Sequence, residues 1–149
     1  MSRFVETTIQ IAVPPAKVME AFTHPEMLRD WWGVERCLIE PKKGGSYTLG
    51  WHISEHGIKY VSSGVFKTFD PERGFVVGSY IYLNPDRPFL GGQVLKVSIE
   101  KTEKGSHVTV RQGPYPENAG ADWEWYYQAV KSAWPLVVDT LAAYLESNQ

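Results

Sequence analysis

Four histidines are the side chains in this sequence that could most readily bind a metal or move protons near neutral pH. Two of them, His52 and His56, lie four residues apart in "HISEHG". A helix would bring such a pair together, but an extended chain separates them by about 13 Å. This segment is typical of a strand and a turn, so we predict no metal site. His52 could act as a general base or orient a ligand, and a solvent-facing histidine is the alternative.

Cys37 and a group of carboxylates are the other candidates for chemistry. Cys37 with a histidine would supply a nucleophilic pair, but no local motif supports one, and a half-buried strand residue is the alternative. Glu117, Asp122 and Glu124 lie near the start of the last helical pattern, where free N–H groups favour negative charge and Asp122 could cap the helix. If the loop "YPENAGADW" covers a cavity, they would instead meet a polar ligand group. The turns "PKKGG" and "LGG" lack P-loop spacing, so we predict no nucleotide and no other cofactor.

Aromatic residues make up 13% of the chain, with 6 Trp and 8 Tyr. Their large rings with single polar tips suit an apolar pocket that offers few hydrogen bonds, and an ordinary core is the alternative. Adjacent helical residues point about 100° apart, so we expect one of Trp31 and Trp32 in the core and the other at a cavity mouth. The predicted ligand-binding residues are Trp31, Trp32, Trp51, His52, Tyr60, Tyr80, Tyr82, Trp123, Tyr127 and Trp134.

Length and composition limit the class of protein. The 149 residues, 43% hydrophobic, favour a single domain over residues 1–149. A net charge of −2 and a pI near 6.1, with scattered basic residues, make nucleic acid an improbable partner. No stretch has the pattern of a signal peptide or the length to span a bilayer, so no membrane association is predicted. The single cysteine suits a reducing compartment, and we expect a cytoplasmic protein.

Hydrophobic periodicity predicts the elements that carry these residues. "FVETTIQIAV" alternates as a half-buried strand, and prolines 14–15 and 25 begin two short helices, the second ending at Gly33. Six strands separated by short turns follow as an antiparallel meander. After the loop "GPYPENAGA", a long helix is predicted, which Pro135 should kink rather than break. Its apolar stripe is Trp123, Tyr127, Val130, Trp134, Val137, Leu141 and Tyr144 or Leu145.

A one-sided sheet and a one-sided helix must bury their apolar faces together, which predicts an α+β fold with a curved seven-stranded sheet around the last helix. In its order β-α-α-β6-α the sequence resembles the START-like (SRPBCC) superfamily, which has the helix-grip fold of the birch-pollen allergen and polyketide cyclases. It is most similar to the branch named after activators of the ninety-kilodalton heat-shock chaperone's ATPase. The motifs that carry the resemblance are "IAVPPAKVMEAFTHPEMLRDWWG", "KKGGSYTL", "SSGVFKTFDPERGFVVGSY" and "W…LVVDTLAAYLE".

The resemblance implies an apolar cavity between sheet and helix, open at one end, and leads to three functional expectations. The first is binding of a small, largely hydrophobic molecule. The second is an enzyme of the polyketide cyclase/dehydratase kind, with His52, Tyr60, Tyr82 and Asp122 as candidates for proton transfer. The third is a stress-related or co-chaperone role, although eukaryotic activators make much of the chaperone contact through an additional N-terminal domain and this sequence opens on the START-like strand. A homodimer is compatible with all three.

Overall fold

The structure, a computed structural model, describes residues 2–148 and has the predicted order of elements. Its seven strands form one curved antiparallel sheet in the order β1-β7-β6-β5-β4-β3-β2, which confirms the α+β helix-grip prediction. The strands are β1 (Ser2–Ile11), β2 (Arg36–Ile39), β3 (Ser46–Ser54), β4 (Gly57–Asp70), β5 (Gly74–Leu83), β6 (Gln93–Thr102) and β7 (Gly105–Pro116). The helices are α1 (Pro15–Thr23), α2 (Pro25–Trp32) and α3 (Ala121–Ser147).

Prolines and one glycine set the limits of the two short helices. Pro15 and Pro25 occupy the first turns of α1 and α2, where a missing N–H costs no helical hydrogen bond. Gly33 ends α2 with φ 69°, a left-handed conformation that glycine adopts without steric penalty. By contrast, Pro135 lies inside α3, and the helix continues through it, as predicted.

The sheet buries one face. Along β6 the buried residues Leu95, Val97 and Ile99 alternate with exposed or half-buried ones, and Val108 and Val110 of β7 lie on the same side. This period-2 pattern is the one that the sequence predicts for a half-buried strand. The core therefore lies between this face of the sheet and the three helices.

A bulge in β5 changes which residues face the interior. Phe75 and Val77 are buried in the first half of the strand, and the pairing of β5 with β6 then shifts between Val77 and Tyr80. Ser79, inside this shift, has φ 49°. Because one extra residue reverses the alternation, Tyr80 and Tyr82 face inward after it, whereas a regular strand would have turned them outward.

The inner face of α3 differs by one residue from the predicted stripe at two points. Tyr126 and Val138 are buried, while Tyr127 and Val137 are only half-buried. The Tyr127 ring lies toward β1 instead, where the guanidinium of Arg3 is 3.9 Å from its centroid. Buried as predicted are Trp134, Leu141 and Leu145.

Candidate ligand-binding cavity

A cavity of about 520 Å³ lies between α3 and the part of the sheet formed by β3 to β7. This volume falls within the range of about 300–1,000 Å³ that is typical of small-molecule sites. Half of its 22 lining residues are aromatic, and none of those in the described chain is Lys, Arg, Asp or Glu. The loop of residues 84–92 and the start of α3 form its rim, where Phe89 and Trp125 are exposed.

Trp32 connects the packed core to the cavity. Its ring stacks on that of Trp31 at 5.0 Å between centroids, and Trp31 is buried against Phe22 at 5.8 Å. On its other side Trp32 contacts Trp51 at 5.5 Å and Trp134 at 5.8 Å, and these three rings line the cavity. The adjacent tryptophans therefore have different surroundings, one in the core and the other on the cavity wall.

Indole N–H groups fix two of these rings against helix ends. The last carbonyls of a helix have no partner within it. Trp31 Nε1 donates to the carbonyl of Ala21 near the end of α1 at 2.8 Å, and Trp51 Nε1 donates to the carbonyl of Trp32, the last residue of α2, at 3.0 Å. The rings thus satisfy backbone acceptors that would otherwise lack a partner, and their orientation is set by the helices.

A directed chain of hydrogen bonds forms part of the cavity wall. Trp134 Nε1 donates to Gln112 Oε1 at 2.8 Å, Gln112 Nε2 donates to Gln93 Oε1 at 3.0 Å, and Gln93 Nε2 donates to the carbonyl of Pro114 at 3.1 Å. Since indole N–H can only donate and a backbone carbonyl can only accept, both amides are held in one orientation. The polar atoms of this wall are therefore largely committed to one another.

His52 and two tyrosines form a second group on the wall. His52 has φ 61° and lines the cavity together with its neighbour Trp51, although adjacent strand residues normally face opposite sides. Its ring meets that of Tyr60 edge-on at 5.2 Å, and Tyr60 lies parallel to Tyr82 at 6.2 Å. Burial, reinforced by the neighbouring Tyr60, raises the pKa of Tyr82 to about 12, so its hydroxyl is protonated at neutral pH.

Eight of the ten predicted ligand-binding residues line the cavity. Trp31 is in the core instead, and Tyr127 packs between Arg3 and Tyr115, with its ring centroid 5.7 Å from that of Tyr115. Ligand contact by any of the ten stays a prediction. The eight lining residues are Trp32, Trp51, His52, Tyr60, Tyr80, Tyr82, Trp123 and Trp134.

Several lining residues were missed at the level of sequence. Gln112 follows Val108 and Val110 in strand phase, and a polar residue at such an inward position was a signal that could have identified it. The sequence predicts a loop at "GPYPENAGA", which includes Tyr115, but β7 continues to Pro116 and makes Tyr115 a buried strand residue. Tyr126 lies on the cavity side of α3 because of the one-residue difference described above.

The carboxylates near α3 do not enter the cavity. Asp122 is exposed, and the N-cap position of α3 is Gly120, so the predicted cap at Asp122 is wrong. Glu117 is also exposed, and Glu124 forms an ion pair with Arg3 at 3.0 Å. No carboxylate in the described chain lines the cavity, so of the four candidates for proton transfer Asp122 lies outside it, whereas His52, Tyr60 and Tyr82 line it.

The remaining candidates for chemistry lie apart from the cavity. Cys37 is half-buried in β2, and burial raises the pKa of its thiol, which favours the unreactive protonated form. His56 lies in an exposed turn beside Glu55. Within residues 2–148, no group of three or more His, Cys, Asp or Glu is placed to hold a metal ion. In the same range, none of the helices has the length and hydropathy needed to cross a membrane.

Comparison with known proteins identifies the family. The sequence profile described as "Activator of Hsp90 ATPase homolog 1-like protein" matches residues 12–146. The chain belongs to this family. No curated protein matches the chain.

Solved structures of similar proteins share the fold along nearly the whole chain. A protein from Mesorhizobium loti has a TM-score of 0.76 and 21% identity, over 99% of both chains. One from Nitrosomonas europaea has a TM-score of 0.75 and 17% identity, over 97% of this chain and 95% of its own. The protein described as the Aha1 dimer from Colwellia psychrerythraea has a TM-score of 0.72 and 16% identity, over 97% and 96%. At such identities the likeness establishes the fold alone.

Proposed function

We propose that this member of the Hsp90-activator-like family binds an uncharged, largely hydrophobic small molecule in the cavity. The composition of the lining carries the proposal, because half of it is aromatic and none of it carries a permanent charge. A charged ligand would lose its hydration on entering and find no counter-charge there. Aromatic rings instead favour apolar and π-rich surfaces. The START-type fold is consistent with a ligand-binding domain.

The size of the cavity supports the same conclusion. Protein interiors are packed about as densely as organic crystals, and a void of about 520 Å³ removes dispersion contacts from every ring that borders it. A ligand of matching shape would restore those contacts. The Trp51 ring in the cavity wall is held by its hydrogen bond to the end of α2, and a wall fixed in this way would reduce the entropy lost on binding.

A pair of helix variants tests the proposal. Ala129 lines the cavity from α3, and Ala129→Trp would place an indole in that space, whereas Ala143→Trp adds the same bulk at an exposed position of the same helix outside the lining. The neutral fluorescent probe N-phenyl-1-naphthylamine should bind the wild type and Ala143→Trp saturably and with equal affinity, and should not bind Ala129→Trp. Equal binding by all three proteins, or by none, would refute the cavity as the binding site.

Purification under mild conditions from the natural source tests which compound the protein binds in the cell. Native mass spectrometry, followed by mass spectrometry after denaturation, should reveal a stoichiometric uncharged compound that is absent from Ala129→Trp produced in the same cells. A bound compound that carries a strong acid or a quaternary amine would contradict the proposal. The cyclase-type reaction and the co-chaperone role stay predictions.

We further propose that the protein is a cytoplasmic homodimer. The single cysteine suits a reducing compartment, and the similar protein from Colwellia psychrerythraea is described as a dimer. Light scattering coupled to size-exclusion chromatography should give twice the mass of one chain. A mass of one chain at micromolar concentration would refute the dimer.

A further inference from the structure

Two hydroxyl groups in the cavity wall have no hydrogen-bond partner. Tyr115 Oη and Ser62 Oγ belong to residues that are each 1% exposed, both residues line the cavity, and neither oxygen makes a hydrogen bond within the described chain. Buried polar groups in native proteins are nearly always hydrogen-bonded. The partner of these two hydroxyls is therefore expected to come from outside the chain.

The polar groups nearest to these hydroxyls are already committed or poorly placed. Burial raises the pKa of Tyr115 and the neighbouring Gln93 offsets part of that rise, while Gln93 Nε2 donates to a backbone carbonyl at 3.1 Å and its Oε1 accepts from Gln112 at 3.0 Å. Burial also raises the pKa of Tyr80, and Ser62 lies close enough to the Tyr80 hydroxyl to offset part of that rise, but Ser62 Oγ makes no hydrogen bond of regular geometry within the described chain. Each of the two hydroxyls thus has a polar neighbour but no hydrogen bond of regular geometry within the described chain, which leaves its proton available to a ligand.

Three further tyrosines lie in the same region of the cavity. Burial raises the pKa values of Tyr80, Tyr82, Tyr115 and Tyr126. Strand pairing sets Tyr82 opposite Ser62 and Tyr80 opposite Gln93, and Tyr80 and Tyr126 add to the pKa increases of Tyr82 and Tyr115. All four remain protonated at neutral pH, and of these Tyr126 already donates its hydrogen bond to the carbonyl of Pro88 at 3.4 Å. The bulge in β5 is what turns two of them inward.

We propose that four of these residues, the hydroxyl subsite (Ser62, Tyr80, Tyr82 and Tyr115), bind a carbonyl oxygen of an otherwise hydrophobic, uncharged ligand. The inference rests on the proposed function and adds the polar group that the ligand must carry. A carbonyl oxygen accepts two hydrogen bonds and brings no proton of its own, which matches donors without acceptors. An alcohol would add another proton that needs an acceptor, and a carboxylate would need a counter-charge that the lining lacks.

Matched probes distinguish the contribution of the carbonyl group to the binding affinity from that of the aromatic rings. Benzophenone and diphenylmethane have the same two rings and differ in a carbonyl against a methylene, and diphenylmethanol replaces the carbonyl with an alcohol. The wild type should bind benzophenone roughly tenfold more tightly than diphenylmethane, as one to two hydrogen bonds made in a dry site would give. Diphenylmethanol should bind less tightly than benzophenone.

Two variants test whether the preference for benzophenone over diphenylmethane depends on the hydroxyl subsite, and a third variant is the control. Tyr115→Phe and Ser62→Ala should each reduce the preference for benzophenone without changing the affinity for diphenylmethane. Tyr127→Phe removes a neighbouring phenol that does not line the cavity, and it should keep the wild-type preference. With benzophenone labelled with carbon-13 at the carbonyl, the carbonyl resonance should move downfield on binding to the wild type and move less in Tyr115→Phe.

The outcomes distinguish this inference from the proposed function. Equal affinity of the wild type for benzophenone and diphenylmethane would overturn the carbonyl subsite and leave hydrophobic binding intact. Tighter binding of diphenylmethanol than of benzophenone would overturn it too. A protein that binds N-phenyl-1-naphthylamine but not benzophenone would also contradict the inference, whereas loss of binding to all of these probes would refute the proposed function itself.

Discussion

The aromatic residues between sheet and helices form two regions, a packed end and a cavity end. At the packed end Tyr47, Phe66 and Phe75 are no more than 2% exposed, with ring centroids 5.3 to 5.5 Å apart. The Tyr47 hydroxyl there donates to the carbonyl of Phe22 at 2.9 Å, whereas the equally buried Tyr115 hydroxyl at the cavity end has no partner in the described chain. Similar side chains therefore complete a core in one region and leave a cavity in the other.

The helices account for this difference. Helices α1 and α2 contribute Phe22, Leu28 and Trp31 to the packed end, so space there is filled by the chain itself. The cavity end is covered mainly by the first two thirds of α3 and by the loop of residues 84–92. Trp32 marks the boundary, since one face of its ring stacks on Trp31 while its other contacts line the cavity.

The largest expected difference between the two ends is in how much the free energy of unfolding falls when an aromatic side chain is removed. Phe75→Ala should lower the free energy of unfolding by about 3–5 kcal/mol, because it opens a void among rings that cannot collapse around it. Trp125→Ala, at the exposed rim of the cavity, should cost only about 1 kcal/mol, from its contact with Arg87. Urea unfolding followed by far-ultraviolet circular dichroism measures both. Equal losses would show that the cavity end is packed as tightly as the core.

Removing single hydroxyls provides a sharper test of the same contrast. Tyr47→Phe should cost about 1–3 kcal/mol, because the carbonyl of Phe22 near the end of α1 loses its donor in a buried place. Tyr115→Phe should leave the unliganded protein within about 0.5 kcal/mol of the wild type, or stabilise it, since the hydroxyl has no partner to lose. Urea unfolding at neutral pH, with no probe added, compares the two. A cost for Tyr115→Phe as large as that for Tyr47→Phe would mean that its hydroxyl is hydrogen-bonded within the protein.

The sequence predicted the elements and their buried faces, and eight of its ten candidate residues line the cavity, but the physical cause of the cavity was beyond it. Alternation in β6 and β7 and the helical spacing in α3 report burial directly, so the element order and most core positions followed from them. The inward turn of Tyr80 and Tyr82 depends on a bulge at Ser79, which no alternation pattern specifies. Two prolines made the segment around Tyr115 resemble a loop. Whether the rings touch or leave a cavity depends on the distance between α3 and the sheet, which is a tertiary property.

A smaller effect is expected at high pH, where ionisation of Tyr82 at the cavity end should lower the free energy of unfolding. Burial raises the pKa of Tyr82 from an ordinary value near 10 to about 12. As the pH rises, the Tyr82 hydroxyl therefore loses its proton in the unfolded chain before it does so in the folded protein. The free energy of unfolding that depends on the neutral phenol is complete below pH 10 and is lost as the pH rises toward 12. Unfolding free energies measured at several pH values should fall less steeply in Tyr82→Phe than in the wild type, with Tyr127→Phe as the control for a phenol outside the cavity. Identical slopes for the wild type and Tyr82→Phe would contradict the raised pKa.

The smallest expected effect concerns the ion pair at the rim, which ties β1 to the first turn of α3. The hydrogen bond from Arg3, and then that from Gln128, lowers the pKa of the Glu124 carboxyl. Its contribution to stability is therefore present above the pKa that glutamate has in the unfolded chain, and it is lost as the pH falls through the lower folded value. Both side chains reach solvent, so salt should screen the pair. The stability difference between the wild type and Glu124→Gln should be small at neutral pH and vanish in acid or in concentrated salt. A difference that persisted in acid, where the carboxyl group is neutral, would show that the stability difference does not come from the charge of Glu124.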